Sequence, residues 1–449
     1  MSTDDSPIPP SLIRLATSLH QYNPGSIDSA NKLTFSKSFK SSGMHHPSTS
    51  SLLRTLDSTR VDLATTLTSK DASGVEGNGT RYLPSIRRLL LSCEVQPDTA
   101  VLDEKLNFMW RGGLEGDGPG GTCGKVRSSQ ALMYEVSMTV ASISIAHASL
   151  GCSDSQTGSF ASSVTNFKKA ASIMNYMHTK HLPQWVSLGS STSEGDLPIE
   201  CVTGGCKGFE RVFLAHAQQM AVAKALQEPV EKINFGLIAK LCKGIQSEID
   251  EFVKQLRSEA AVHYCRLPPP YLKYIAFQIA LQEALTMYFN ARATWNKGKE
   301  FGLAMAMMYD ARAMLNVRAS ITSRGIPEDI ENSNSALYVL RGELVNFRTH
   351  VDKMIESWKR DIDTVYFDKI PNTVPVSSVL KKGMVMMKVE PWEHANLGDP
   401  EPVPLSVQAP APPGGGDYSA PPPTAPGLER TDSDLARELQ AKLNAGEDV

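Results

Sequence analysis

Residues 208–226 read GFERVFLAHAQQMAVAKAL, and their pattern indicates the fold class. Large apolar and aromatic side chains recur at steps of three and four residues, which places them on one face of an α-helix. After Gly208 the stretch contains neither Gly nor Pro, the residues that most often interrupt helices. It therefore predicts a long helix with one buried face, at about residues 207–228.

The same pattern recurs through most of the chain. Prolines at 268–270 and the Gly-Ile-Pro at 325–327 mark two of the joins between segments. Alternation typical of a strand is confined to residues 384–389 and, more weakly, 366–367. The sequence predicts an all-α dominated body with helices at 129–150, 160–182, 207–228, 231–264, 271–296, 299–323 and 328–366.

The regions outside these helices are polar or rich in glycine. Two stretches rich in Gly, Ser and Pro, at 111–125 and 183–208, are predicted to be long loops. Residues 1–60 are rich in Ser and Thr, and we expect only one short amphipathic helix there. Its apolar residues are Leu12, Ile13, Leu15 and Leu19.

Composition limits the class of protein. The chain has 449 residues, of which 41% are hydrophobic and 21% charged, with a formal net charge of -3. No run approaches the ~18 uncharged apolar residues of a membrane span. The N-terminus lacks the basic start and apolar core of a signal peptide, so we expect a cytoplasmic protein. The near-neutral charge argues against a nucleic-acid partner.

The C-terminal tail differs from the body in charge and composition. Residues 401–449 carry eight acidic and three basic side chains, or -5, which leaves +2 for residues 1–400. Nine prolines lie between Glu401 and Pro426, a composition typical of disorder. We expect an N-terminal segment at 1–49, one domain at 50–392, a disordered linker at 393–430 and a short amphipathic helix at 431–449.

Two kinds of catalytic motif are missing. A phosphate-binding loop needs Gly five residues before the Gly of Gly-Lys, and Ser or Thr after the Lys. Gly124-Lys125 has Pro119 and Val126 at those positions. The Gly-x-Ser-x-Gly motif of serine hydrolases does not occur. Five histidines fall within helical patterns, where packing accounts for them: His147, His178, His181, His216 and His263. The sequence predicts no enzyme.

The seven cysteines do not indicate a metal site or a disulfide framework. They are odd in number and scattered, so in a cytoplasmic protein we expect reduced thiols. Cys201 and Cys206 lack a second Cys or His pair at zinc spacing. We expect neither a metal nor a cofactor.

Three adjacent large side chains, Met307, Met308 and Tyr309, lie within the predicted helix at 299–323. Successive residues point in different directions around a helix, so the three cannot all face one core. At least one is therefore predicted to reach a groove or the surface.

Two segments resemble the Bro-one domain (BRO domain) family of ALIX. Residues 208–226 are similar to its Leu-Ala-Gln-Ala-Gln helix, with His216 in place of a Gln. Upstream, residues 107–110 (NFMW) look like its Phe-x-Trp before the first long helix.

Two further segments follow in the family's order. Phe301-Gly302 opens a helix similar to its Phe-Gly-Glu helix. Residues 359–371 (KRDIDTVYFDKIP) resemble its Asn-Asp-x-(Ile/Val)-Tyr-x-x-x-Val-Pro signature, with Ile362 in place of the Asn. The closing segment 376–388 also fits. The chain thus looks like a short form of the family with a proline-rich tail.

The resemblance implies a boomerang-shaped domain with a tetratricopeptide-like helical solenoid core and a small β-sheet. Members are non-enzymatic adaptors of the ESCRT machinery. Their concave apolar groove receives the C-terminal helix of an ESCRT-III subunit, a helix-in-groove mode that suits adaptable side chains such as Met. Carried over, the groove residues are Phe209, Val212, Phe213, His216, Met308 and Tyr309.

The resemblance also gives the tail a role. Pro423, Thr424, Ala425 and Pro426 spell a motif that, in similar proteins, binds the ubiquitin-variant domain of ESCRT-I. An extended proline segment binds at low entropic cost. Residues 434–440 (DLARELQ) resemble helical ubiquitin-interacting motifs, with Leu435, Ala436 and Leu439 as the apolar contact; the alternative is a frayed amphipathic tail.

The implied function is that of an ESCRT adaptor in multivesicular-body sorting or membrane scission. Such a protein is cytoplasmic and is recruited to endosomes, where it meets the membrane peripherally. The alternative is a helical signalling scaffold in ambient-pH sensing or a small-GTPase pathway, since Bro-one domains also occur there.

Overall fold

Long helices pack one against the next through most of the chain. The computed structural model describes residues 10–28, 33–102, 106–116, 124–187, 194–318, 325–392 and 400–407, which all fall within the unit Met1–Val407. The α-helices are α1 (Pro10–Ser18), α2 (Phe35–Ser38), α3 (Pro47–Ser69), α4 (Ala72–Val95), α5 (Leu132–Thr157), α6 (Phe160–Tyr176), α7 (Leu182–Ser187), α8 (Thr203–Ala225), α9 (Phe235–Glu259), α10 (Ala261–Tyr264), α11 (Pro269–Asn296), α12 (Phe301–Met314) and α13 (Arg341–Asp361).

The long helices are neighbours in chain order. Helix α3 packs on α4, α4 on α5 and α5 on α6; then α6 packs on α8, α8 on α9, α9 on α11, α11 on α12 and α12 on α13. Each helix therefore buries two sides against its neighbours, as in a helical solenoid. The all-α dominated fold class is confirmed.

The strands are short. They are β1 (Ser26–Ile27), β2 (Phe39–Ser41), β3 (Ala100–Leu102), β4 (Phe108–Arg111), β5 (Val126–Ser129), β6 (Val317–Arg318) and β7 (Ile326–Pro327). They form an antiparallel sheet in the order β1-β4-β5, an antiparallel pair β2-β3 and a parallel pair β6-β7. The predicted loop at 111–125 is thus the connection of the hairpin β4-β5.

Helices α3 and α4 were not among the predicted helices. Helix α3 is rich in Ser and Thr, and α4 contains Pro84 and three glycines, so the apolar pattern is weak in both. One of these glycines is required for packing. A Cβ on Gly79 would lie 2.7 Å from a side-chain carbon of Ile143 in α5, so only Gly allows α4 to approach that closely.

The two predicted strand segments do not enter a sheet. Residues 384–389 are extended but have no β partner, and Tyr366 ends a π-helical turn after α13. Phe367 follows at φ 50°, a left-handed conformation that is incompatible with a strand. Within this segment an extended chain lies on helices: Met387 and Val389 are half-buried and Met386 and Lys388 are exposed, but Met384 and Val385 are exposed as well, so the alternation holds for residues 386–389 alone.

Both ends of the described chain pack on the helices. The predicted N-terminal helix is confirmed as α1, whose Leu12, Ile13 and Ala16 are buried where it packs on α5 and α8. Residues 400–407 differ from the expectation of a disordered linker. Val403 and Leu405 are buried, because an extended chain with alternate apolar residues fits along α3 and α4.

Side chains of α3 and α4 bond the backbone of residues 400–407. Thr49 Oγ1 donates to Pro404 O (2.7 Å), and Ser92 Oγ accepts from Val403 N (2.9 Å). Prolines are compatible with this arrangement, since the chain here needs few backbone donors. These residues therefore belong to the same unit as the helices.

Helix α5 lies at the centre of the fold. Although no run in the sequence was expected to resemble a membrane span, α5 is the one helix in the described ranges that is long and apolar enough to cross a membrane. However, 83% of its apolar window is buried inside the protein, as is typical of a core helix. Within it, Glu135 is fully buried and accepts three bonds: from Arg60 Nε (2.7 Å), Tyr82 Oη (3.0 Å) and Trp110 Nε1 (2.6 Å). Burial disfavours the charge of Arg60, but Glu135 holds the pKa of Arg60 above its ordinary value.

We expect Glu135→Gln to destabilise the protein strongly. The change leaves the buried Arg60 guanidinium without its counter-charge, which costs about 3–5 kcal/mol in comparable sites. Urea unfolding followed by circular dichroism measures the loss. Glu231→Gln, at an exposed position, is the matched control and should leave the midpoint unchanged. Equal midpoints for both variants would contradict the role of Glu135.

Candidate functional site

The α8 face predicted to line a groove is buried. Phe209, Val212 and Phe213 are each at most 1% exposed. Phe209 stacks on Tyr271 of α11, with ring centroids 6.1 Å apart, and Phe213 meets Tyr22 edge-on at 5.2 Å. These three side chains therefore form core, and an Asp at position 212 would test folding rather than binding.

His216 is part of a buried hydrogen-bond network. Its Nε2 lies 3.0 Å from Tyr22 Oη, and its Nδ1 lies 2.9 Å from Gln219 Oε1. The amide oxygen is an acceptor only, so the ring proton is assigned to Nδ1, and the tyrosine hydroxyl donates to Nε2. Burial lowers the pKa of His216 to about 4, so the ring is neutral near pH 7. It offers no contact to an outside partner.

Met308 and Tyr309, the two other predicted groove residues, lie in α12 rather than in α8. Met308 is fully buried in α12, whereas Tyr309 is 40% exposed, which confirms that one of the three adjacent large side chains reaches the surface. Helix α8 packs between α6 and α9, and α12 packs between α11 and α13. Two helices thus separate the two sets, and the structure does not bring the six residues together in one open groove.

Residues 376–392 offer exposed apolar side chains, and we name this segment the strap; it begins with a 3-10 turn at Val376–Ser378 and continues as an extended chain. It crosses successive helices: Ser378 O accepts from Asn290 of α11, Met384 N donates to Lys240 O of α9, and Glu390 N donates to Ser172 Oγ of α6. Met387 and Val389 pack against the core, while Met386 and Lys388 are exposed. This arrangement matches the alternation noted in the sequence from residue 386 to residue 389, whereas Val385 is exposed.

Gln218 of α8 holds the middle of the strap. Its Nε2 donates to Met384 O (2.9 Å) and to Leu241 O (2.9 Å), and its Oε1 accepts from Met386 N (2.8 Å). One side-chain amide thus bonds the strap backbone as a neighbouring strand would. The sequence carries no signal of this role, because Gln218 lies opposite the apolar stripe of α8, where a polar residue is expected.

Two glycines let the strap approach α9. A Cβ on Gly244 would lie 2.1 Å from Met384 O, and a Cβ on Gly383 would lie 2.1 Å from Gly244 N. Any side chain at either position would push the strap away from α9, because both contacts are to backbone atoms.

The outer face of the strap is apolar and basic. Met384, Val385 and Met386 are 39%, 44% and 53% exposed. Lys240 of α9 is exposed beside them, and the strap adds exposed lysines at 381, 382 and 388. This combination of flexible apolar side chains and surrounding positive charge suits a helix with an apolar stripe and acidic flanks.

A cleft of about 440 Å³ lies at the end of the strap. Its apolar wall includes Ile143 of α5 and Trp392, and Trp392 also packs on Tyr176 of α6, with ring centroids 5.2 Å apart. Lys168 of α6 forms an ion pair with Glu390 at its rim. The cleft extends the strap face toward α4.

The described residues contain no cluster of three or more His, Cys, Asp or Glu side chains able to hold a metal ion. Burial raises the pKa of the Cys152, Cys206 and Cys242 thiols above the ordinary value, so these cysteines are neutral and unreactive. The predicted tail motifs, at 423–426 and at Leu435, Ala436 and Leu439, lie outside the described residues.

Comparisons with known proteins agree on one family. A family model for the BRO1-like domain matches residues 30–408. No curated protein matches the sequence significantly. Among solved structures, a Bro1 domain studied for endosomal targeting is 14% identical with a TM-score of 0.58, and the match covers 85% of this chain and 95% of that one.

Two structures of ALIX are similar as well. ALIX in complex with the SIVmac239 PYKEVTEDL late domain gives a TM-score of 0.60 at 14% identity; the match covers 83% of this chain but only 48% of the ALIX chain. A complex of the ALIX BRO1 domain with CHMP4C gives 0.57 at 16% identity, covering 83% of this chain and 95% of that one. At these identities the structures support the fold.

We expect Gln218→Ala to loosen the strap without unfolding the helices. Each lost bond contributes about 1 kcal/mol, so the amide of Met386 should exchange with solvent about fivefold to tenfold faster. Hydrogen exchange followed by mass spectrometry measures this for the peptide that spans the strap. Gln227→Ala, an exposed Gln just after α8, is the matched control. Unchanged exchange in the strap would refute the proposed role of Gln218 in holding the strap.

Proposed function

The chain belongs to the BRO1-like domain family, and on this basis we propose that it is a non-enzymatic ESCRT-associated adaptor that binds the C-terminal helix of an ESCRT-III subunit. The observation that carries the proposal is the family match over residues 30–408. The complex of the related ALIX domain with CHMP4C supports the choice of partner. In this proposal the protein is cytoplasmic and is recruited to endosomal membranes during multivesicular-body sorting or scission.

We further propose the strap face as the docking surface. An amphipathic helix gains free energy by burying apolar side chains, and it needs partners that are exposed beforehand. Met384, Val385 and Met386 meet that requirement. Five of the six groove residues inferred from the sequence do not, because they are buried among α8, α11 and α12. Of the six, Tyr309 is the one whose side chain is exposed and can contact a partner.

The positions of the strap side chains support this choice. Met386 and Lys388 alternate with the packed Met387 and Val389, so docking on the outer face need not disturb the core. Leu237, 36% exposed, lies one turn before Lys240, whose carbonyl bonds the strap. It extends the apolar surface onto α9.

The tail completes the proposal. We assign residues 423–426 to a site for the ubiquitin-variant domain of ESCRT-I, and Leu435, Ala436 and Leu439 to a contact with ubiquitin. Both assignments depend on the sequence motifs and on the family of the adjoining domain. Short motifs joined to a folded domain raise the effective concentration of one partner near another, which favours weak but combined binding.

We expect Met386→Asp to weaken binding of a synthetic ESCRT-III C-terminal helix to the full chain at least about tenfold. The substitution places a charge in the centre of the apolar contact, where truncations commonly cost more than 1 kcal/mol. Fluorescence anisotropy of the labelled peptide measures the affinity. Met386 is exposed, so the fold should persist, and the circular dichroism spectrum checks this.

Two further variants make this test decisive. Val345→Asp, on α13 and 43% exposed, is the matched control and should bind as the wild type does. Tyr309→Asp probes the remaining exposed residue of the predicted groove. Loss with Tyr309→Asp but not with Met386→Asp would reject the strap face while keeping the adaptor function. Wild-type protein that does not bind any ESCRT-III helix would reject the function.

Deleting residues 423–426 should abolish capture of the purified ESCRT-I ubiquitin-variant domain by the full chain, since the motif supplies the whole contact. Deleting residues 410–413, another proline-rich stretch of four, is the control and should retain capture. Equal capture by both deletion variants would remove the motif from the proposal.

A further inference from the structure

Two loops of the domain are joined by a buried pair of carboxylates. Glu200, just before α8, accepts through Oε1 from the backbone N–H of Gly113 (2.7 Å) and of Leu114 (2.9 Å), which follow β4. In the opposite direction, Ile199 N donates to Glu115 Oε1 (3.1 Å). We name this arrangement, residues 112–116 with residues 199–200, the loop junction.

Glu115 has its charge compensated. Arg127 of β5 donates to its Oε2 at 2.9 Å, and His263 Nδ1 lies 3.0 Å from its Oε1, with Arg266 at 3.8 Å. Burial alone would raise the pKa of Glu115, but the bonds from His263 and Arg127 hold it below the ordinary value. Glu115 is therefore ionised at neutral pH.

Glu200 accepts backbone N–H bonds but has no basic side chain to balance a negative charge. It is 1% exposed, its Oε2 has no hydrogen-bond partner, and no basic side chain in the described ranges forms an ion pair with it. Its Oε2 faces Gly112, where a Cβ would lie only 2.8 Å away. The three basic groups of the junction all contact Glu115 instead.

The remaining ionisable groups around Glu200 supply no positive charge. Cys206, in α8, donates its thiol to Glu200 O (3.1 Å), and Cys201 contacts Met138 of α5 at 3.3 Å. Tyr134 of α5 lies nearby, and burial raises the pKa values of this hydroxyl and of both thiols. All three groups are neutral at physiological pH, so the charge that faces Glu200 is that of Glu115.

We propose that the loop junction is a proton-dependent latch, in which a proton on Glu200 holds residues 112–116 against the domain and ionisation of Glu200 releases them. A neutral carboxylic acid with one unsatisfied oxygen costs less to bury than an unpaired carboxylate. Ionisation would add a second negative charge beside Glu115 with no cation to balance it. Exposure to water then becomes favourable, and residues 112–116 separate from residues 199–200.

The pH range of the latch follows from linkage. Burial, together with the charge of Glu115, outweighs the backbone N–H bonds from Leu114 and Gly113, which favour the ionised form, and raises the pKa of Glu200 from 4.5 to about 7. A raised pKa means that the closed form holds the proton more tightly, so its contribution is full below 4.5 and is lost as the pH rises through 7. Glu115, with a lowered pKa, weakens the junction only at pH values below the ordinary carboxyl range.

Hydrogen exchange of the full chain, measured on the peptide that covers residues 112–116, tests the latch. Protection is corrected at each pH with an unstructured standard. For the wild type it should fall by up to about tenfold per pH unit between about pH 5 and 7, and then level off. In Glu200→Gln, whose side chain stays neutral, it should be independent of pH. Glu231→Gln is the control and should behave as the wild type does. The same pH dependence in the wild type and Glu200→Gln would overturn the proposal.

A second measurement covers the case in which Glu200→Gln does not fold. The wild-type protein is labelled with ¹³C at the side-chain carboxyl of its glutamates, and its infrared spectrum is recorded. The label separates the band of a protonated glutamic acid from that of a protonated aspartic acid. This matters because burial also raises the pKa of Asp250. A labelled carboxylic acid band at pH 6 that disappears by pH 8 supports the latch. No such band at pH 6 would overturn it.

Discussion

The fold depends on one buried carboxylate. Glu135 accepts bonds from Arg60, Tyr82 and Trp110, and so joins α3, α4 and β4 to the central helix α5. In an apolar interior the charges of Glu135 and Arg60 are tolerated only as a pair, with their remaining bonds made. This requirement fixes the positions of α3, α4 and β4 relative to α5. The later helices then extend from α5 in order.

The strap and residues 400–407 tie this stack together from outside. An array in which each helix contacts its neighbours has few long-range contacts. Here the strap follows α13 and bonds α11, α9, α8 and α6, and residues 400–407, the last that the structure describes, bond side chains of α3 and α4. The last described residues therefore support the first helices. The strap carries the apolar surface that we propose for partner binding.

Each periodic segment predicted from the sequence contains a long helix, because an apolar stripe is a local signal. Two predicted bounds were wrong: α12 ends at Met314 rather than at 323, and α13 begins at Arg341 rather than at 328. The surroundings of each stripe were not predictable, since they depend on residues far away in the chain. Phe213 and His216 look like groove residues until Tyr22, far away in the chain, packs against both. Helix α4 escaped prediction because Pro84 and its three glycines weaken the apolar pattern, and of these glycines Gly79 is the one that packs closely on α5. The role of Gln218 was hidden because it bonds backbone, which leaves no trace in the sequence of the strap.

The hydrogen bonds between Gln218 and the strap backbone affect how such a protein can change during evolution. The amide bonds only the carbonyl and N–H groups of Met384 and Met386, groups that every residue other than proline possesses. Mutations of the outward side chains therefore leave the anchorage intact. Selection can alter the outer surface residue by residue while the backbone path stays constant. The outward side chains of the strap, which would determine specificity, are therefore distinct from the backbone groups that hold the strap on the helices.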